Sequence, residues 1–321
     1  MRIAIAGGGV AALEAAIAAR NTNADAAIAV FAGEKIRPYR RPMLSSLLKG
    51  NPVDEKIFFL KPEEFFAANR IELHLDSPVE MITGDALELS DGTLHPFDRL
   101  IIATGSKARV PQVPTAPGAL VFTLREYLDL VKLNAFLPDC RQVTIIGGSV
   151  LGLEIADSLL ARGLQVTVLE RAAQLFPGRL TPEAAAELQT RLNGHERLTI
   201  HCGANVAGIS RAGVLDNCGM IYPADAVVFA AGAVPRTILA AEAGLAVGNG
   251  IKVDAAMRTS RENIFAAGDA AEFNGRGFGL FTDAMATGKI AGINAAGGNA
   301  VFEAKLAPLR LFALGEKLTM P

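Results

Sequence analysis

The stretch Ile3-Ala-Ile-Ala-Gly7-Gly8-Gly9-Val10-Ala11-Ala12-Leu13-Glu14 decides how this chain folds. A short apolar strand, Arg2 to Ala6, runs into three glycines and then into an alanine-rich helix. The pattern is GxGxxA, and each position has a mechanical cause. Gly7 makes the tight turn, Gly9 removes a side chain where backbone must approach a pyrophosphate, and Ala12 lets helix and strand pack closely. The helix N-terminus then offers free N–H groups and the positive end of its dipole to phosphates. A second strand, Ala26 to Phe31, leads to Glu34, 27 residues after Gly7. A carboxylate at that strand end can accept hydrogen bonds from a ribose diol.

The design recurs 140 residues later as Val143-Thr-Ile-Ile-Gly147-Gly148-Ser149-Val150-Leu151-Gly152-Leu153-Glu154. The helix is predicted to run to about Ala161, and Gly163 stops it. A strand from Leu164 to Leu169 then ends in Glu170, 23 residues after Gly147 and close to the fingerprint spacing of about 20. Ser149 replaces the middle glycine, which narrows the approach but leaves a small hydroxyl. A lone glycine turn before a helix is a weak signal. Two units, each with strand, turn, helix, second strand and terminal acid, point to two nucleotide sites.

Three further segments fit this frame. Asp98 to Ser106 and Asp225 to Arg236 are apolar strands ending in small residues, as suits central parallel strands buried on both faces. Asn263 to Ala270 is a third, and it ends at Gly268-Asp269, where a carboxylate suits a polyol hydroxyl. Doubly wound sheets bind ligands at such strand ends.

Composition sets the outer limits. The 321 residues suit two domains, or three, at about 150 residues each. With 50% apolar and 20% charged residues a large core is expected and disorder is not. The net charge of −2 argues against bulk electrostatic binding of nucleic acid. No apolar run reaches the roughly 18 residues needed to span a bilayer, so no membrane association is expected. The N-terminal run superficially resembles a signal peptide, but Glu14 interrupts it and the strand–turn–helix reading fits better. The three cysteines, Cys140, Cys202 and Cys218, never stand as CxxC and suit a reducing cytosol, hence a cytoplasmic location. His74, His95, His195 and His201 lack metal-ligand spacing, and no metal site is expected. Lys61-Pro62 before Glu63-Glu64 reads as a helix start.

The motifs together resemble the FAD-dependent pyridine nucleotide-disulfide oxidoreductase superfamily. Within it, they resemble the branch of NADH:rubredoxin reductases, ferredoxin reductases and nitrite reductase flavin domains. The carrying segments are Gly7-Gly8-Gly9, Pro38-Tyr39-Arg40-Arg41-Pro42-Met43-Leu44-Ser45, Ala103-Thr104-Gly105, Gly147 to Glu154, Gly232 with Pro235, and Ala267-Gly268-Asp269. The resemblance implies an α/β protein of two doubly wound, Rossmann-like domains. An FAD domain (residues 1–110 and 237–321) would carry an inserted NADH domain (119–236), with a linker at 111–118. It implies an FAD-dependent NAD(P)H oxidoreductase that passes electrons to a rubredoxin- or ferredoxin-like carrier. An NADH-responsive redox sensor of low turnover and a flavin module of a nitrite reductase are the alternatives. The oligomeric state is left open.

Residue roles follow from the same resemblance. FAD would meet Gly7, Gly9, Val10, Ala11, Ala12 and Glu34. Arg41 would lie near its pyrophosphate or flavin, beside Ser46, and Val79 would meet adenine through its backbone. Ala103, Thr104, Gly105 and Arg125 would line the cofactor, and Gly268 with Asp269 would bind the ribityl chain. The helix opened by Phe281 would face the N1/O2 edge of the flavin, stabilising negative charge there. NADH would meet Gly147, Gly148, Ser149, Val150, Gly152, Gly232 and Glu170, with Glu154, the catalytic candidate, near nicotinamide and flavin. Glu170 would repel a 2′-phosphate and favour NADH; Arg171, next in sequence, softens this and keeps NADPH open.

Three departures from the family stand out. Many relatives carry Lys where Ser46 stands, and Lys49 is the nominated substitute. The redox Cys of the NADH oxidase and coenzyme A disulfide reductase branches is replaced around Pro42. The family's C-terminal third domain would begin about where this sequence stops.

Overall fold

The computed structural model describes residues 1–303 and 308–320. The chain divides into two compact units. Within the described residues, the first holds 1–40, 54–107 and 234–303, and the second holds 41–53, 108–233 and 308–320. The sequence assigned 1–110 and 237–321 to one domain; the segment 41–53 and the C-terminal hairpin instead group with the second unit.

The first unit is built on a five-stranded parallel sheet in the order Ile264–Ala266, Arg99–Ile102, Arg2–Ala6, Ala27–Phe31, Ile71–His74. Side chains alternate across a strand, so each strand feeds two cores. Ile3, Ile5, Ile28 and Val30 face the helices Val10–Thr22 and Phe281–Ala295. Ala4, Ala6, Phe31 and Ile102 face the other way, onto Ile82, Leu87 and Leu89. That second covering layer is largely an antiparallel meander, Val79–Thr83, Ala86–Leu89 and Leu94–Pro96, where a doubly wound sheet carries helices. Its alternating residues, with Gly84 and Gly92 at positive φ in the turns, favour short strands over helix.

The two covering helices of the first unit pack backbone to backbone. A Cβ at Gly288 would overlap the Ala11 carbonyl oxygen, and one at Gly292 would overlap that of Ala15. Small residues on both helices permit this approach. Thr287, fully buried, locks the arrangement: its hydroxyl accepts from Gly268 N at 2.9 Å and donates to Asp283 O at 2.7 Å. Thr287→Val keeps the shape but strands the Gly268 N–H. It should cost about 1–3 kcal/mol, read as a lowered midpoint of denaturant unfolding.

The second unit repeats the plan. Its parallel sheet runs Leu198–Cys202, Gln165–Glu170, Gln142–Ile146, Ala226–Phe229, Val121–Thr123. Ile146, Leu169, Val227 and Phe229 form a core with Ile209, Val214 and Tyr222 of a second meander. The hairpin Leu309–Ala313/Glu316–Met320 is tied into this unit. Leu314 N donates to Asp157 Oδ1 at 3.0 Å, and Arg191 grips Glu316 with two bonds of 2.9 and 3.1 Å.

Candidate functional site

In the first unit the glycine turn forms where the strand Arg2–Ala6 ends. Gly7 adopts φ +139°, and its N–H donates to Phe31 O at 2.8 Å. A Cβ there would collide with the Ala103 carbonyl, so only glycine lets the neighbouring strand end approach. Gly9 is the N-cap of the helix Val10–Thr22. It supplies no side-chain cap, and an added Cβ would meet nothing within 4 Å. The first-turn N–H groups, those of Val10, Ala11 and Ala12, lie at the positive end of the helix dipole.

The other candidates of this unit gather at the same end of the sheet. Gly268, φ +66°, approaches Ala11 so closely that a Cβ would lie 2.9 Å from the Ala11 Cβ. Gly105, φ +69°, leaves open space, and Thr104 Oγ1 donates to Arg236 O at 3.1 Å. Two carboxylates are held by neutral hydroxyls. Tyr39 donates to Glu34 Oε2 at 2.9 Å, and Ser106 donates to Asp269 Oδ2 at 2.9 Å. Phe281 opens its helix half-buried against the helical core. In that helix's first turn burial pushes the Asp283 carboxyl above its ordinary range; Arg276 opposes this and Asp269 adds to it. Val79 begins the meander and packs against the sheet's second core.

In the second unit Gly147 takes φ +119° and donates to Leu169 O at 2.8 Å. A Cβ on Gly152 would overlap the Gly147 carbonyl. Ser149 caps the helix Val150–Ala161: its Oγ accepts from Gly152 N at 3.3 Å and donates to Ala230 O at 3.0 Å. The second helix thus has the side-chain cap that the first lacks. Glu170 ends its strand with both oxygens on backbone amides, Oε2 on Gly148 N at 2.7 Å and Oε1 on Ala172 N at 2.8 Å. This fixes a negative charge beside the glycine turn. Arg171 is exposed, and Gly232, φ +93°, is open.

Three nominated residues lie on neighbouring segments of this unit. Arg41 donates to Arg125 O at 2.6 Å, so these two are brought together. Arg125 itself sits just before a helix whose capping box pairs Glu126 with Asp129. Ser46 donates back to Met43 O at 2.8 Å, within its own turn. Ser45, one residue earlier and 4% exposed, donates to Glu154 Oε2 at 2.8 Å. Burial raises the Glu154 carboxyl above its ordinary range; the Ser45 bond opposes this and Asp157 reinforces it. Lys49, the nominated stand-in for the family lysine, goes to Asp157 instead, at 2.7 Å.

Tyr39, Ser45, Ser106 and Thr287 escaped sequence reasoning in these roles. Ser45, Ser106 and Thr287 act on partners distant in sequence, and the motif that contains Tyr39 and Ser45 does not itself specify these bonds. Burial raises the thiols of Cys140 and Cys202, with nearby carboxylates adding to it, and all three cysteines are free. Raised thiols make poor nucleophiles.

Comparison with known proteins places the chain among reductases. It is 36% identical over 279 residues to rhodocoxin reductase of Rhodococcus erythropolis, a match covering 85% of this chain and 65% of that one. It is 34% identical over 278 residues to rubredoxin-NAD(+) reductase of Pseudomonas putida, covering 84% and 72%. The chain thus spans about two thirds of the length of these relatives. The crystal structure of a ferredoxin reductase from Rhodopseudomonas palustris superposes with a TM-score of 0.91 at 30% identity, covering 99% of this chain and 81% of that one. A family model described as pyridine nucleotide-disulphide oxidoreductase matches residues 1–288.

Proposed function

The chain belongs to the pyridine nucleotide-disulphide oxidoreductase family, and on that premise we propose that it is an FAD-dependent NADH oxidoreductase serving a small electron-carrier protein. The observation that carries this reading is the pair of unlike glycine turns, each followed by a strand-end carboxylate. The first fits FAD. Its helix has no side-chain cap, Gly9 and Gly105 leave room for a ligand, and Glu34 and Asp269 are carboxylates of the type that receives ribose and ribityl hydroxyls. Val10, Ala11 and Ala12 supply the phosphate-facing amides, and Val79 and Phe281 the adenine and flavin ends. Ala103, Thr104 and Gly268 complete the lining.

The second turn fits NADH. Gly147, Gly148, Ser149, Val150 and Gly152 form the phosphate turn, Gly232 the opposite strand end, and Glu170 the ribose acceptor. Bound FAD supplies acceptance of two electrons from NADH and their release one at a time. The chain's residues bind and orient the two nucleotides, and Glu154 holds a proton at the nicotinamide end. Cysteine chemistry is not part of the reading, because the three thiols are unpaired and two have raised pKa values.

The carrier is a one-electron protein of rubredoxin or ferredoxin type, as the names of the relatives suggest. The protein is read as cytoplasmic; no described helix is long and apolar enough to cross a membrane. Purified protein should carry one FAD per chain, released on denaturation. A chain that neither holds FAD nor takes it up on reconstitution would overturn the proposal. Glu170→Ala should raise the Kd for NADH about tenfold and weaken discrimination against NADPH, measured by fluorescence titration with both nucleotides.

A further inference from the structure

We propose that Ser45 is a positioning residue for Glu154, and that Ser45, Glu154 and the Pro42 carbonyl form a proton-holding chain that couples NAD+ binding to proton release. The inference rests on the reading of the second glycine turn as the pyridine nucleotide site.

One hydroxyl lies between two oxygens. Ser45 Oγ lies 2.8 Å from Glu154 Oε2 and 3.3 Å from Pro42 O. If Glu154 is ionised, both neighbours are acceptors, and a serine has a single proton to give. If Glu154 is protonated, its O–H donates to Ser45 Oγ, and the Ser45 proton is free for the Pro42 carbonyl. All three groups are then satisfied; Ser45 is buried, Glu154 half-buried and Pro42 exposed. Loss of the Glu154 proton to solvent turns the Ser45 O–H from Pro42 to Glu154. Gain of the proton reverses the turn.

The charged surroundings favour the protonated form. On the Glu154 helix itself, Asp157 is the facing neighbour and repels a second negative charge. The segment after the helix Leu44–Leu47 offers one cation, Lys49, and that cation is 2.7 Å from Asp157. The strand Gln165–Glu170 offers Glu170, whose carboxylate accepts from the Gly148 and Ala172 amides. The strand Gln142–Ile146 has no charged residue, and Arg310 on Leu309–Ala313 is exposed. Burial acts in the same direction. A carboxyl raised in this way keeps its proton through its ordinary range and loses it only as pH rises through the raised value.

The nicotinamide ring is neutral in NADH and positive in NAD+. A positive ring beside Glu154 favours the ionised carboxylate, so NAD+ binding should expel the proton while NADH binding should not. By linkage, NAD+ should bind about tenfold or more tightly once Glu154 is ionised.

Calorimetric titration of the holoprotein with NAD+ and with NADH, in buffers of different ionisation heat over a pH series rising from the ordinary carboxylate range, reads the proton count directly. Wild type should release a proton with NAD+ and none with NADH. Glu154→Gln should release none with either. Ser45→Ala removes the donor to the carboxylate, so its window of proton release should move to higher pH, and Ser45→Thr should restore the wild-type window. NAD+ binding without proton release, or release unchanged in Glu154→Gln, overturns the coupling. A window unmoved in Ser45→Ala overturns the role of Ser45. Failure of both nucleotides to bind would instead remove the nucleotide-site reading beneath it.

Discussion

Gly288→Ala should destabilise the first unit by about 3 kcal/mol or more, lowering the thermal midpoint by about 6–12 °C. The added Cβ would overlap the Ala11 carbonyl oxygen and lie 2.8 Å from the Ala11 Cα. Both are backbone atoms of a helix pinned to the sheet, so neither can rotate aside. The helix Phe281–Ala295 must therefore move off the helix Val10–Thr22, opening a seam lined by Ala11, Ala12 and Ala15. The same movement strips packing from the Gly7–Gly9 turn, because that turn is the N-terminus of the helix Val10–Thr22 that loses its partner. Stability and cofactor retention should fall together, measured by differential scanning calorimetry and by flavin content. Gly279→Ala is the control: an added Cβ there meets nothing within 4 Å, and the change should be nearly silent in both measurements.

Asp269→Ala should produce protein largely free of flavin, with the Kd for FAD raised about 10- to 100-fold. Asp269 stands at the end of the strand Ile264–Ala266, and Ser106 holds one of its oxygens at 2.9 Å. That bond orients the carboxylate proposed to receive a polyol hydroxyl. Charge-assisted hydrogen bonds of this kind contribute about 1.5–3 kcal/mol each. Ser106→Ala should have a smaller effect, since it removes one bond to the carboxylate without deleting it. Equilibrium titration of the apoproteins with FAD, followed by flavin fluorescence, orders the two variants. Equal affinity of Asp269→Ala and wild type would place the ribityl contact elsewhere.

Much of the site was legible because its constraints are local. Gly7 and Gly147 announce themselves by sitting between an apolar strand and a helix, and both adopt the positive φ that such a turn demands. Glu170 was readable because the strand that carries it ends there. The partners that orient these groups were not readable. Ser106 and Asp269 are 163 residues apart, and only the pairing of parallel strands brings them together. Lys49 was expected to replace the family lysine on spacing alone. The local rotation of the chain gives it to Asp157 and leaves Ser45 on Glu154. The helix pair was half legible: its small residues stand out in the sequence, but the register of Gly288 on Ala11 is a tertiary fact. The meander over the first sheet was hidden too, because short antiparallel strands carry little periodicity over three to five residues.

The central claim is that electrons enter from NADH, reside on one FAD and leave to a carrier protein. An anaerobic titration of the holoprotein with NADH, watched through the flavin absorption bands, tests it most directly. One equivalent of NADH should bleach one equivalent of FAD, and rubredoxin or ferredoxin added afterwards should restore the oxidised spectrum. A flavin that stays oxidised in excess NADH would contradict the account.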